Sequence, residues 1–322
     1  MLYLKNTLIW DFWLLRVKDT FHLFYLECPR KLAKEKNDIT TIGHAVSTDL
    51  YNWETKGTIL SGGAKGDWDD LCLWTGCTVE LNGKYYLFYT GRKKSEAGRI
   101  QRIGVAVSDD LHHFVKMPQN PILVADKRWY EETVNFSSVY PHVAWRDPYV
   151  VKDPDSDYYY AFITARTNTG SDQTRGCIGL ARSTNLLEWE CLPPVYAPNR
   201  YRYLEVPAVY QFGNRWYLLY GTKDYCHAVD SPERRPETGC FYTSSEELLG
   251  PYLQEDHVLV GTDTGAYTTK LVQTDQGLFA LFHITKYPGL EPYAGFISDP
   301  FPVNILNDGR LSVDFEIPQL HI

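Results

Sequence analysis

Long apolar runs, basic stretches and paired cysteine motifs are all missing from this 322-residue chain. No apolar segment approaches the roughly 20 residues that a membrane-spanning helix needs, so no membrane partner is expected. Lys and Arg cluster only in Lys34-Glu35-Lys36 and Arg92-Lys93-Lys94, and 40 acidic against 32 basic side chains leave a formal net charge of −8. That balance argues against nucleic acid as a partner. The seven cysteines are odd in number and contain no Cys-x-x-Cys. They read as small buried thiols in a reducing cytoplasm. No metal-ligand spacing is present, and neither a metal nor another cofactor is expected. The first residues, Met1-Leu2-Tyr3-Leu4-Lys5-Asn6, lack the basic and apolar regions of a secretory signal, which also points to the cytoplasm. Helical periodicity never persists beyond a turn or two, and only Ser244-Ser245-Glu246-Glu247-Leu248-Leu249 suggests a short helix.

Aromatic side chains are abundant: 24 Tyr, 14 Phe and 9 Trp. They concentrate in an alternating strand pattern that returns five times, at Phe21–Tyr25, Tyr85–Tyr89, Tyr158–Phe162, Trp216–Tyr220 and Leu278–Phe282. Those strands start 64, 73, 58 and 62 residues apart. After a loop, a second motif follows: Ile42-Gly43-His44-Ala45-Val46-Ser47-Thr48-Asp49-Leu50, Ile103-Gly104-Val105-Ala106-Val107-Ser108-Asp109-Asp110-Leu111, and Ile178-Gly179-Leu180-Ala181-Arg182-Ser183-Thr184-Asn185-Leu186. Weaker copies are Phe241–Ser245 and Ala294–Ser298. A unit of this size cannot bury its own apolar face and must stack on its neighbours. Five all-strand units predict an all-β fold, a five-bladed β-propeller that occupies residues 1–322 as one domain. Ser with Asp or Asn in the second motif predicts a tight turn between the third and fourth strands, with Trp53, Phe114 and Trp189 packed beneath it. Asn82-Gly83, Gly213-Asn214 and Asp275-Gln276-Gly277 predict hairpin turns. The segments 26–40, 61–72, 92–101, 126–142 and 223–238 carry little strand pattern and read as loops at one end of the channel. Within them Gly66-Asp67-Trp68-Asp69-Asp70 reads as a solvated acidic surface, with the shaping of a polar pocket as the alternative.

Three acids stand about ten residues before an aromatic strand: Asp11, Asp147 and Glu205. That position places each on the innermost strand of its blade. A carboxylate inside a packed channel is costly unless paired or used. These three either cap backbone at the channel mouth or do chemistry together. Blades two and five offer Leu73-Trp74-Thr75-Gly76-Cys77 and Gly265-Ala266-Tyr267-Thr268-Thr269 in the corresponding place, without an acid. Two acids on opposite walls, with a third to hold the substrate, match the requirements of glycoside hydrolysis. Arg146 is placed to pair with Asp147. Trp10, Trp13 and Trp74, with Thr75, are candidate walls of a sugar subsite, channel packing being the alternative for any one of the tryptophans, and Tyr203 is read as lying on the face of Glu205 by strand alternation. His44, inside a strand, reads as structural.

At these residues the chain resembles the five-bladed propeller glycoside hydrolases of clan J, families 32 and 68. Trp10-Asp11-Phe12-Trp13-Leu14 is similar to the Trp-Asp-Ser-Trp-Pro segment that carries the levansucrase nucleophile. Arg146-Asp147-Pro148 matches the Arg-Asp-Pro motif whose Asp holds two sugar hydroxyls. Glu205-Val206-Pro207 resembles the motif whose Glu is the acid/base, and Trp74-Thr75-Gly76 resembles the segment lining the −1 subsite. The Asn-Asp-Pro-Asn-Gly pattern of invertases is absent, and at this length the C-terminal β-sandwich of family 32 is expected to be absent as well. The resemblance implies a retaining, exo-acting β-fructofuranosidase-like enzyme on a small carbohydrate, with Asp11 as nucleophile, Glu205 as acid/base and Asp147 as transition-state stabiliser. Four other readings stay open. They are an inverting arabinofuranosidase-like hydrolase of the family 43 type, a transfructosylase, a phosphorylase using Arg92, Arg166 or Lys223, and a propeller that only binds glycans or protein.

Overall fold

The structure, a computed structural model, describes residues 1–138, 141–228, 237–261 and 264–316. The five repeats form five antiparallel sheets. Blade one runs β1 (Thr7–Val17), β2 (Thr20–Pro29), β3 (Thr41–Ser47) and β4 (Glu54–Leu60). Blade two runs β5 (Cys72–Leu81), β6 (Lys84–Arg92), β7 (Gln101–Ser108) and β8 (Val115–Lys116). Blade three holds β9 (Trp145–Lys152), β10 (Tyr159–Arg166), β11 (Gly176–Ser183) and β12 (Glu190–Tyr196). Blade four holds β13 (Glu205–Phe212), β14 (Arg215–Thr222), β15 (Gly239–Ser245) and β16 (His257–Val260). Blade five holds β17 (Ala266–Thr274), β18 (Gly277–Ile284), β20 (Phe301–Ile305) and β21 (Leu311–Val313), with β19 (Phe296–Ile297) also paired to β18. The innermost strands β1, β5, β9, β13 and β17 touch in cyclic order, which closes the expected five-bladed propeller. Leu2 and Ile297 exchange backbone hydrogen bonds at 2.9 and 3.1 Å and tie the start of the chain to blade five.

The aromatic strands explain how the blades cohere. There are five large apolar clusters, one between each neighbouring pair of blades. Trp13, Phe24, Leu73 and Tyr89 fill the junction of blades one and two. Phe88, Trp145 and Ile163 fill that of two and three, and Phe162, Leu218 and Phe241 that of three and four. Tyr217, Leu271 and Phe282 join four to five, and Phe12, Leu23 and Leu281 join five to one. Fully burying such side chains contributes about 1.5–3 kcal/mol each, and here each does so only against a neighbouring blade.

The second motif has a local cause. The hydroxyls of Ser47, Ser108 and Ser183 each accept the amide of the Leu three residues on, at 2.9 Å in all three copies. This holds Leu50, Leu111 and Leu186 at φ 68, 66 and 66°, a left-handed conformation that leucine rarely adopts. The indoles of Trp53 and Trp189 then donate to the Leu50 and Leu186 carbonyls. Glycine recurs in the motif because a ring lies flat on it. A Cβ on Gly43 would sit 2.4 Å from the Tyr25 ring, and one on Gly104 would sit 2.6 Å from Trp68.

Two expectations need correction. Ser244–Leu249 is not helical: β15 runs through Ser245, whose hydroxyl accepts the Glu247 amide in a turn. Short 3-10 segments run over Arg30–Asp38, Lys94–Glu96 and Asp224–Cys226. Gly66–Asp70 is not a solvated acidic surface throughout. Asp69 is buried, ion-paired with Lys116 and bonded by the Tyr89 hydroxyl, and Trp68 stacks on Tyr89. Residues 139–140 and 229–236, inside two of the expected loops, lie outside the described residues. His44 is buried against His22, as expected of a structural histidine. All seven cysteines are unpaired thiols.

Candidate active site

Every inner strand carries a β-bulge at the same level. The shifts fall between Trp10 and Phe12, between Trp74 and Gly76, opposite Ile163 after Arg146, after Glu205, and between Tyr267 and Thr269. The inserted residues are Asp11, Thr75, Asp147, Val206 and Thr268, and the residues before them are Trp10, Trp74, Arg146, Glu205 and Tyr267. A bulge bends its strand and re-aims a side chain, so five bulges on one level gather side chains from all five blades. Asp147, Val206 and Thr268 take φ of 55, 51 and 54°. Asp11 and Asp147 are thus equivalent in register, but Glu205 is one residue earlier, in the place of Arg146 and Tyr267. Spacing to the aromatic strand hid this offset, because Asp147 and Glu205 both stand 11 residues before theirs while the turn after β9 is longer than the turn after β13.

Above this level opens a cavity of about 510 Å³. Asp11, Asp147 and Glu205 all line it, as do Trp10, Trp74, Thr75, Arg146 and Tyr203. Trp13 does not. It is buried between blades one and two, stacked on Phe24, and its indole donates to the Thr78 hydroxyl at 2.9 Å. Two steps beyond a bulge, its side chain faces the blade junction. Tyr203 reaches the pocket from the loop before β13 rather than by alternation along the strand, and its ring lies between the guanidinium groups of Arg146 and Arg166. Of the three phosphate candidates only Lys223 lines the cavity. Arg92 is bound to the Asn37 and Gly98 carbonyls and to Asp38, and Arg166 to Asp172 and Glu131.

The three carboxyls have different surroundings. Asp11 Oδ2 accepts from the Thr75 hydroxyl at 3.0 Å, and Oδ1 lies 3.7 Å from His283 Nδ1. Burial alone would raise its pKa, but His283, Lys36 and Thr75 outweigh burial and hold it below the ordinary value. Asp147 Oδ2 accepts from the Thr164 hydroxyl at 3.0 Å and the Val206 amide at 3.2 Å. Burial, reinforced by Asp11 and Glu205 and opposed by Arg146, pushes its pKa up to about 7. Glu205 accepts from Arg146 Nη2 at 2.7 Å and from the Tyr267 hydroxyl. Burial works to raise its pKa too, yet Arg146, Lys223 and Tyr267 bring it below the ordinary value. The pocket therefore keeps one proton among three acids to about pH 7.

Sequence reasoning missed Tyr267, His283 and Lys36. Tyr267 occupies the register position of Glu205 in blade five, and His283 directly follows an aromatic repeat, so both were legible from their places in the repeat. Lys36 arrives from the 3-10 segment and stands over the Trp10 ring, a placement no repeat position signals. Among the described residues no group of three or more His, Cys, Asp or Glu side chains could hold a metal ion.

A model of the glycosyl hydrolases family 32 N-terminal domain matches residues 13–278. The chain belongs to that family. This family 32 chain does so without the Asn-Asp-Pro-Asn-Gly pattern. A sucrose-6-phosphate hydrolase of Zymomonas mobilis is 30% identical over 214 residues, which are 63% of this chain and 38% of the relative. A β-fructofuranosidase, insoluble isoenzyme CWINV5, of Arabidopsis thaliana is 27% identical over 180 residues, 55% of this chain and 28% of the relative. The chain therefore spans well under half the length of these two curated relatives. An inulosucrase from Halalkalicoccus jeotgali, solved with kestose, superimposes with a TM-score of 0.78 at 21% identity, covering 98% of this chain and 92% of that one.

Proposed function

We propose that the chain is a retaining, exo-acting β-fructofuranosidase-like glycoside hydrolase. The observation that carries this reading is the span of Arg146. Its guanidinium pairs with Glu205 and approaches Asp147 at 3.4 Å, while Asp11 shares the cavity with both. Sugar hydroxyls that hydrogen-bond to Asp147 favour its carboxylate. Arg146 then turns toward Asp147, its hold on Glu205 weakens, and Glu205 takes up the site's proton. Glu205 gives that proton to the departing oxygen as Asp11 attacks the anomeric carbon. In the second half, Glu205 removes a proton from water, which displaces the sugar from Asp11. Tyr267 and Arg146 orient Glu205, and Thr75 orients Asp11. Relatives named as fructofuranosidase and sucrose-6-phosphate hydrolase support the same substrate class.

A second reading concerns the substrate's charge. Lys36 and Lys223 line the cavity over the rings of Trp10 and Tyr267, and neither has an ion-pair partner among the described residues. Two unpaired ammonium groups favour a phosphorylated fructoside over a neutral one. Buried free thiols suit a reducing, cytoplasmic setting for such a substrate. The test is a comparison of sucrose, sucrose 6-phosphate, inulin, levan and nitrophenyl furanosides. Cleavage of fructosides with retention is expected, with the phosphorylated sucrose fastest. Turnover of arabinofuranosides alone, with inversion, would overturn the first reading; equal rates with and without the phosphate would overturn the second.

A further inference from the structure

Among the described residues, Lys270 is the one strongly buried ammonium that the proposed mechanism leaves unused. It lies on β17, two residues past the bulge of blade five, and is 2% exposed. Its Nζ stands 3.5 Å from the Val206 carbonyl and 5.5 Å from the centre of the Tyr149 ring. Among the described residues no carboxylate comes within 4.0 Å of it. A buried charge without an ion-pair partner is costly, and it persists where the surroundings compensate it. Val206 connects it to the pocket: the carbonyl of this residue meets Lys270, and its amide donates to Asp147 Oδ2 at 3.2 Å.

The groups around this position can be assigned in turn. Blade one contributes Asp11 and blade two Cys77. Blade three contributes Arg146, Asp147 and Tyr149. Blade four contributes Cys240, Tyr210 through its contact with Tyr149, and Glu205 next to Val206 in the chain, while His283 of blade five acts on Asp11. Burial pushes the Cys77 and Cys240 thiols and the Tyr149 and Tyr210 phenols up, so they are neutral at pH 7. Burial pushes His283 down. From the upper walls Lys36 acts on Asp11 and Lys223 on Glu205, while Arg146 is paired with Glu205. Burial lowers Lys270 to about 8, against the pull of Cys77, Asp11 and Asp147.

We infer that Lys270 is a positioning residue for Asp147: acting through Val206 from beneath the pocket floor, it favours the Asp147 carboxylate and so directs the site's single proton to Glu205. The inference rests on the retaining β-fructofuranosidase reading. Removing the charge makes the site hold its proton more tightly and leaves that proton on Asp147. In Lys270→Met, matched in length but uncharged, the alkaline limb of kcat/KM on the best fructoside should move up by half a pH unit or more, about threefold in proton affinity. The plateau should also fall severalfold, with circular dichroism unchanged. A folded variant whose limb stays put overturns the inference. A second arm needs no activity and no Lys270 variant. In 15N-lysine-labelled protein, the Nζ signal assigned by its contacts to the Tyr149 ring should titrate at lower pH in Asp147→Asn than in the parent. An unchanged midpoint overturns the coupling. A parent that cleaves no fructoside defeats the functional reading, and the resonance arm still decides the link between Lys270 and Asp147.

Discussion

Arg146 Nη2 stands 2.7 Å from Glu205 Oε1 while its Nε stands 3.4 Å from Asp147 Oδ2, so one guanidinium spans two of the three pocket acids. Gln101 fixes Nη1 at 3.1 Å, and Tyr203 lies against its face. Breaking such a buried pair by removing one partner costs about 3–5 kcal/mol. Arg146→Met should therefore lower kcat/KM by roughly 10²–10³-fold or more. Arg146→Lys should recover little, because an ammonium cannot present the planar fork that reaches both acids. Steady-state kinetics on both variants check this, and near-parental activity of the lysine variant would contradict the bridging role.

The pH profile follows from counting protons over the three acids together. Asp147 keeps its proton up to about 7, whereas Asp11 and Glu205 lose theirs below the ordinary carboxylate range. Because the acids share one pocket, the rate reports the number of protons in the site rather than the carboxyl that carries one. With one proton the site has both an attacking carboxylate and an acid. As pH rises through about 7 that proton is lost, so kcat/KM should fall on the alkaline side there. The acid limb should lie below the ordinary carboxylate range, where a second carboxyl protonates. A profile still rising above pH 8 would contradict the count.

The tryptophans of the sugar-binding proposal should separate. Trp74 lines the cavity, held by its indole bond to the Asn37 carbonyl and by Arg92 over its ring. Trp74→Ala should raise KM severalfold or more. Trp13→Phe leaves the buried Thr78 hydroxyl without its donor, at a cost of about 1–3 kcal/mol in stability, with KM near parental. Denaturant unfolding and kinetics on the two variants distinguish these effects.

Acid should destabilise the junction of blades one and two. His22 Nδ1 and His44 Nε2 are 3.1 Å apart, and His44 stacks on Phe24 and lies tilted against His112. Burial pushes His22 down to about 4 and His44 down to about 3, so both stay neutral in the folded chain while the unfolded chain protonates them near 6.5. The unfolded state then binds more protons between these values, and stability is lost as pH falls through 6.5 toward 4. The slope is about 1.4 kcal/mol per pH unit for each histidine fully engaged. Denaturant unfolding at pH 7, 6 and 5 measures it, and His44→Phe should flatten the curve.

Much of this architecture was legible because it repeats. Five aromatic strands and a recurring Ser-x-Asp/Asn-Leu turn carry the blade count, and each turn closes with the same Ser-to-Leu hydrogen bond. The position of Glu205 relative to Asp11 was not legible, since every inner strand carries the same bulge while the turns that follow differ in length, and a count of about ten residues does not resolve a step of one. Which of Trp10, Trp13 and Trp74 is packing was not legible either: the bulge at Asp11 re-phases the alternation behind it and sends the Trp13 ring into the blade junction. Lys36 comes from a non-repetitive segment, and the burial of Asp69 depends on Lys116 and Tyr89, which lie 47 and 20 residues away in sequence.

The most direct test of the account is to trap the covalent intermediate. Glu205→Gln removes the proton donor and leaves the nucleophile, so a fructoside with an activated leaving group should still react once with the enzyme. Azide should then release the sugar as its azide, since it needs no general base. Digestion and mass spectrometry of the trapped protein should find one hexosyl group on the peptide containing Asp11, and none in Asp11→Asn. A sugar on any other residue, or activated-substrate turnover with inverted product and no adduct, would contradict the assignment of Asp11 as nucleophile and Glu205 as acid/base.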